Sequence, residues 1–276
     1  MSGVVALLFG SVFASQRVPQ NESDMNSRVT SIYITALFLG VNAMNTVLPV
    51  FEMERNMFYR HKASLMYDHR AITLAFTLVE VPFIFLSSMV FCLLWYFTVG
   101  FAVDAGKFFL YWVFMTFSLG IFTFFGQGFM AVFRDSQTAQ GFGSLLIGMS
   151  SIFGGILIRP QAINSFWIWA YWTFPLHYVL EGLFTSQFQG DTTPIVATYG
   201  TEFYNWVLSE NCPKVEDDPP PVECYTGTAE GWIYVSFGGM WLPEHIPYCI
   251  GYCIGAVVVA KAMAMYGLKQ RNYLAK

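Results

Sequence analysis

Five apolar runs constrain this chain more than anything else in it: residues 29–50, 71–99, 108–133, 138–158 and 246–268. A helix crossing ~30 Å of hydrocarbon needs about 20 residues, and each run supplies that length. Little charge is left over. Only 12% of the 276 residues are charged and 55% are hydrophobic, against about a quarter charged in a soluble domain. That much polar material does not cover a water-facing surface, so lipid replaces water around much of it. Spanning segments must satisfy their own backbone groups, which makes the class all-α integral membrane. A sixth run, 3–14, is too short to span alone, with no charged leader before it and no cleavage-type small residues before Gln16. It reads as the outer half of a first helix truncated at its start. Three regions follow: helices one to five over 1–158, a broken and polar region over 159–245, and a last helix with its tail over 246–276.

Lys and Arg set the orientation. With the charged stretch 51–70 inside, the inner segments hold Arg55, Arg60, Lys62, Arg70, Arg134, Lys269, Arg271 and Lys276, with Lys261 near the same side. Arg17, Arg28, Lys107, Arg159 and Lys214 are spread over longer outer segments. Six helices with both ends cytosolic satisfy this count. The acidic run Asp217-Asp218-Pro219-Pro220-Pro221 and the sequon Asn21-Glu22-Ser23 then face outward, making Asn21 a glycan acceptor if the host glycosylates that loop. Net charge is −4 with the acid concentrated in one loop, which argues against nucleic-acid binding.

Polar residues inside the runs are the candidates for function, because they are expensive in lipid. Thr35, Phe38, Asn42, Asn45 and Pro49 recur at helical spacing on one face. That face reads equally as cavity lining or as contact between helices. Glu80, two residues before Pro82, is the one carboxylate deep in an apolar run. It stands about as close to a structural contact near Arg70 as to a substrate. Ser144, Gly148, Ser151 and Gly155 permit close helix contact. Residues 164–188, with Trp167, Trp169, Trp172, Pro175 and Tyr178, read as re-entrant or interfacial helices. Cys212 and Cys224 fall in the external loop, where oxidising conditions favour a disulfide. His177 and Glu181 form an i, i+4 pair near the outer surface, read as hydrogen-bonded or solvent-facing. His245, Cys249 and Cys253 form a second row, read as lipid-helix residues and not as a metal site. Gly106-Lys107 lacks the other glycine of a phosphate loop, since Phe101 stands in its place, and no catalytic arrangement is nominated.

The run Glu54-Arg55-Asn56-Met57-Phe58-Tyr59-Arg60, then Met66-Tyr67 and Val79-Glu80-Val81-Pro82, resembles the G subfamily of ABC transporters, the pleiotropic drug resistance type in particular. Phe153-Gly154-Gly155-Ile156-Leu157-Ile158 before Pro160, then Pro175, Gly182-Leu183, Ser186-Gln187-Phe188 and the end 268–273, extends the likeness over nearly the whole chain. The resemblance implies a six-helix ABC-2 type exporter membrane domain with re-entrant helices and a small external loop domain. It implies coupling to a nucleotide-binding domain through Glu54, Arg55, Phe58, Tyr59 and Arg60. It also implies a cavity between two membrane domains, for which Phe38, Asn42, Asn45, Ser150, Ser151 and Phe153 are candidates, and a hydrophobic valve at Ile156 and Leu157. ATP and Mg would belong to the nucleotide-binding domain, on the same longer chain or a separate one, and no cofactor to these residues. The partners implied are that domain, a second membrane domain, the bilayer and a lipophilic small molecule. Outward movement of lipophilic or amphipathic compounds across a eukaryotic plasma membrane is the function implied. The alternatives are a permease for lipid or lipid-linked saccharide, and a nonfunctional fragment. Arg159 and the acidic proline-rich run depart from the pattern. An intramembrane enzyme built on His177, Glu181 or the His245 row is the rival from another class.

Overall fold

The computed structural model describes residues 2–13, 18–101, 103–212 and 221–271. Arg17, Lys214, Asp217, Asp218 and residues 272–276, on which part of the charge count and of the family likeness rests, lie outside them. The order is α1 (Ser2–Phe13), α2 (Glu22–Ala63), α3 (His69–Val99), α4 (Ala105–Val132) and α5 (Ser136–Ile152), then α6 (Ile168–Thr173) and α7 (Pro175–Phe188). Strand β1 (Pro194–Val196), α8 (Glu202–Asn211), β2 (Thr226–Thr228), α9 (Ala229–Ser236) and α10 (Ile246–Gln270) complete it.

Carboxylates start the inner helices. Asp68, Asp104 and Asp135 accept from backbone amides at the starts of α3, α4 and α5, satisfying donors that a helix leaves orphaned. The side chain and amide of Thr138 hold the Asp135 carboxyl below the usual carboxylate range. Pro175 opens α7 at a position where its missing N–H is no loss.

The first departure from expectation is α2. The span 29–50 and the charged stretch after it form one 42-residue helix through Pro49, about 63 Å long at 1.5 Å per residue. The hairpin shrinks to the turn 64–68. The second is α5, which ends at Ile152 instead of Ile158. Gly155 beyond it has φ +88 and packs against Trp241 and Tyr171, a left-handed turn that a side chain would resist. Among the described residues, α2, α3, α4 and the segment Pro243–Gln270 are long and apolar enough to cross a bilayer, while α1 and α5 are shorter.

Helix α4 is the hub. It packs against α2, α3, α5, α7 and α10 and buries Tyr111, Phe114, Met115, Phe122 and Met130. Small residues set these distances. A Cβ on Gly40 of α2 would run into the Phe122 ring, and one on Gly267 of α10 would lie 2.6 Å from the Ala131 backbone. The expected stripe on α5 behaves differently. Ser144 and Gly148 are exposed and nothing lies within 4 Å of a Cβ on Gly148. The glycine that packs is Gly143, against Met44.

The external segment folds on α2. Strands β1 and β2 pair antiparallel, and Cys212 and Cys224 are joined by a disulfide with Cα atoms 5.4 Å apart. Glu22 Oε1 accepts from Thr198 N and Thr201 Oγ1, both at 2.7 Å, while Val196 N donates to Gln20 O at 2.9 Å.

Candidate functional site

At its C-terminal end, α2 is held by its own cations. The buried Arg55 donates to Met130 O, Phe133 O and, at 2.6 Å, Arg134 O. These are carbonyls at the C-terminus of α4, where the helix leaves acceptors unmatched and its dipole is negative. Lys62 does the same for α10, reaching Leu268 O at 3.1 Å and Lys269 O at 3.2 Å. Phe58 and Tyr59 are buried, Phe58 against Tyr67, whose hydroxyl meets His61 Nδ1 at 2.8 Å. The motif residues Phe58 and Tyr67 therefore close the hairpin on itself. Glu54, half-buried, and Arg60, exposed, remain on the outside with Met53 and Met57.

The same capping recurs at the opposite ends of the helices. Arg28 Nη2 donates to Gly100 O at the end of α3 and stacks over Phe101 at 4.7 Å. Lys107 Nζ donates to Gln187 O at 3.1 Å and Gln189 O at 2.7 Å at the end of α7. Arg28 and Lys107 are thus bound into the fold, although their positions read as outer-loop charges. The missed signal is a lone cation within a turn of an apolar run, which caps a helix as readily as it marks a loop.

Glu80 lines a cleft of about 310 Å³ formed by α1, α2, α3 and α4. Asn42, Thr46, Ser87 and Thr123 share it, among apolar side chains that include Leu39, Phe83 and Leu119. The structure does not place Glu80 beside Arg70. The cation whose field reaches it is Lys261 of α10, whose ammonium is bonded to Gln127 Oε1 at 2.7 Å and lies over the Phe124 ring at 3.9 Å.

The six cavity candidates do not form one lining. Asn42 faces the cleft; Phe38 packs against Phe9 of α1, and Asn45 accepts from Gln140 of α5 at 3.2 Å. Ser150 and Ser151 are buried, Ser151 bonded to Ile147 O of its own helix. Phe153 belongs to an aromatic stack with Trp167 and Phe174. Of the valve candidates, Ile156 is half-buried and Leu157 exposed, both in the non-helical segment after α5.

The two His rows converge, and neither faces solvent as a pair. Buried Glu181 meets His245 Nδ1 at 2.9 Å and His177 Nε2 at 3.6 Å, joining α7 to the start of α10. His177 is sandwiched among Tyr171, Trp172 and Trp241. Cys253 is also buried, yet among the described residues no three such side chains are set to hold a metal. Residues 64 apart in sequence cannot be paired from periodicity alone, which is why this junction was not legible. Asn21 is exposed at the start of α2 and bridges to Val196.

Comparison with known proteins agrees with this architecture. The family model described as ABC-2 type transporter matches residues 1–188. The chain is 36% identical to ABC transporter G family member 53 of Oryza sativa subsp. japonica over 191 residues, 69% of this chain and 13% of that protein. It is 36% identical to Pleiotropic drug resistance protein 1 of Nicotiana tabacum over 187 residues, 67% of this chain and 13% of that one. With ABC transporter G family member 40 of Arabidopsis thaliana it shares 32% over 209 residues, 73% and 15%. The chain therefore spans about a seventh of the length of these relatives. With a hub helix and long apolar neighbours bound by their own caps, and with relatives of this kind, the chain belongs to the ABC-2 type transporter membrane family, alongside ABC transporters of the G family that include a pleiotropic drug resistance protein.

Proposed function

We propose that this chain is the membrane-spanning part of an ATP-driven exporter that moves lipophilic or amphipathic compounds outward. The observation that supports it best is α2. One continuous helix runs from the external segment to the charged turn, and Arg55 and Lys62 fasten its far end to α4 and α10. Displacement of that end is thereby delivered to three membrane helices at once. Glu54 and Arg60, still accessible, are the charges for docking a nucleotide-binding domain that holds ATP and Mg. In this reading α1 and α5 complete six crossings, α6 and α7 are re-entrant, and both ends are cytosolic in a plasma membrane. The exposed faces at Asn45 and Gly148 meet a second membrane domain. Ile156 and Leu157 close the exit above the shared cavity, and Asn21 carries a glycan.

Inside-out vesicles from cells expressing the gene that encodes these residues provide the test. ATP-dependent uptake of a lipophilic dye is expected, with Glu54→Lys abolishing it while the protein still inserts. Uptake by that variant at the unmodified rate refutes the coupling role. No ATP-dependent uptake by the unmodified protein refutes export.

A further inference from the structure

The cleft at Glu80 has a chemical bias that its shape alone does not reveal. Each of three polar residues lining it turns a donor back onto its own helix. Asn42 donates to Phe38 O at 3.0 Å, Thr46 to Asn42 O at 2.8 Å and Thr123 to Leu119 O at 2.8 Å. What Thr46 and Thr123 leave toward the cleft are oxygen lone pairs, while Asn42 keeps its amide oxygen and one N–H. The Glu80 carboxylate adds negative charge and, among the described residues, takes part in no hydrogen bond or ion pair. Lys261 feels that charge from α10, but its ammonium is committed to Gln127 and Phe124. A carboxylate half-buried at membrane depth without a bonded partner is expensive. The remaining walls are apolar, Leu39, Phe83 and Leu119 among them, and the volume of about 310 Å³ sits at the lower end of ligand pockets.

We infer that this cleft binds a cationic amphiphile, an organic ammonium ion whose N–H groups face Glu80 and Asn42 and whose apolar body lies along Leu39 and Phe83. The cleft is built within one chain, from α1, α2, α3 and α4. The inference deepens the exporter reading by naming a substrate class, and it rests on that reading for the meaning of occupancy. Binding itself requires no ATP.

The test uses the full chain in nanodiscs of phosphatidylcholine, which carries no net charge. The probe is a dansyl-labelled octylammonium, with its N-acetyl counterpart as the uncharged control. Unmodified protein is expected to bind the ammonium saturably and roughly tenfold tighter than the acetyl form, a modest fraction of a Coulomb pair at low dielectric. Glu80→Gln should erase that preference, and Glu210→Gln, exposed at the end of α8 in the external segment, should keep it. Equal binding of both probes by the unmodified chain overturns the inference, as does a preference that survives Glu80→Gln. Should Glu80→Gln misfold, labelling of Glu80 in the unmodified protein by dicyclohexylcarbodiimide replaces it. The ammonium is expected to slow labelling and the acetyl probe to leave it unchanged; equal rates with either probe overturn the assignment. Loss of ATP-driven uptake with binding intact would count against export alone.

Discussion

Arg55 shows how one residue type carries two readings. Flanked by Glu54 and Asn56 in a charged stretch, it looks like a docking charge, and sequence offers nothing to contradict that. Its acceptors lie 75 to 79 positions away, so only the fold reveals that it is a cap. Replacing it strands three carbonyls at the end of α4, that of Met130 buried and the other two partly so. Arg55→Met should therefore destabilise the protein by about 3 kcal/mol, read as a fall in the thermal unfolding midpoint in detergent. Arg55→Lys should recover part of that, since an ammonium reaches fewer of the three at once. A midpoint unchanged in Arg55→Met would show that the carbonyls find other donors. Asp135 is a cap as well, at the start of α5. An Asp just before an apolar run at a tight turn is a helix start, and Thr138 keeps it ionised to below the usual carboxylate range. Its folded value being lowered, the cap persists at neutral pH and is lost only as pH falls through that lowered value.

Among elements, the long helices of the hub were legible, and so were the ends of α3, α4 and α10, but those of α2 were not. Apolar length marks α2, α3, α4 and α10 because lipid imposes that length. The boundary at Val50 was misplaced because the change from apolar to charged residues marks the membrane surface, not the end of the helix. Residues 51–63 lack a breaker, and α2 continues. Helix α5 failed in the other direction, since apolar residues persist past Ile152 while the backbone turns at Gly155. Small residues were equally ambiguous, for a glycine at helical spacing permits contact without stating with what. Gly40 and Gly148 separate the cases. Gly40→Ala should cost about 1–3 kcal/mol because Phe122 occupies the space. Gly148→Ala in the same chain should leave the unfolding midpoint in detergent nearly unchanged, as nothing lies within 4 Å of its Cβ. Equal effects of the two would mean that the α2–α4 contact relaxes freely.

For the molecule as a whole, class and family were readable because scarcity of charge and a long motif are properties of the sequence itself. The joining of distant pieces was not. Glu22 fixes the external segment to α2, as Glu181 fixes α7 to α10 through His245. Glu22→Ala is expected to loosen the external segment as a unit, leaving the membrane helices folded. Faster limited proteolysis within residues 189–245, with an unchanged helical circular dichroism signal, would report that. Proteolysis at the unmodified rate would show that the backbone bond from Val196 to Gln20 suffices.

The bond from Lys62 to the end of α10 spans 206 positions, and this has a bearing on biogenesis. The chain is made from its N-terminus, so α2 must enter the membrane long before the carbonyls of Leu268 and Lys269 exist. Until the last helix leaves the ribosome, the Lys62 ammonium lacks those two acceptors, although the turn at 64–68 is closed by bonds of its own. The bond from Lys62 thus forms only once the final helix has arrived. A nascent chain halted before Leu268 would present a closed hairpin with an unanswered ammonium, a feature that distinguishes it from the finished protein.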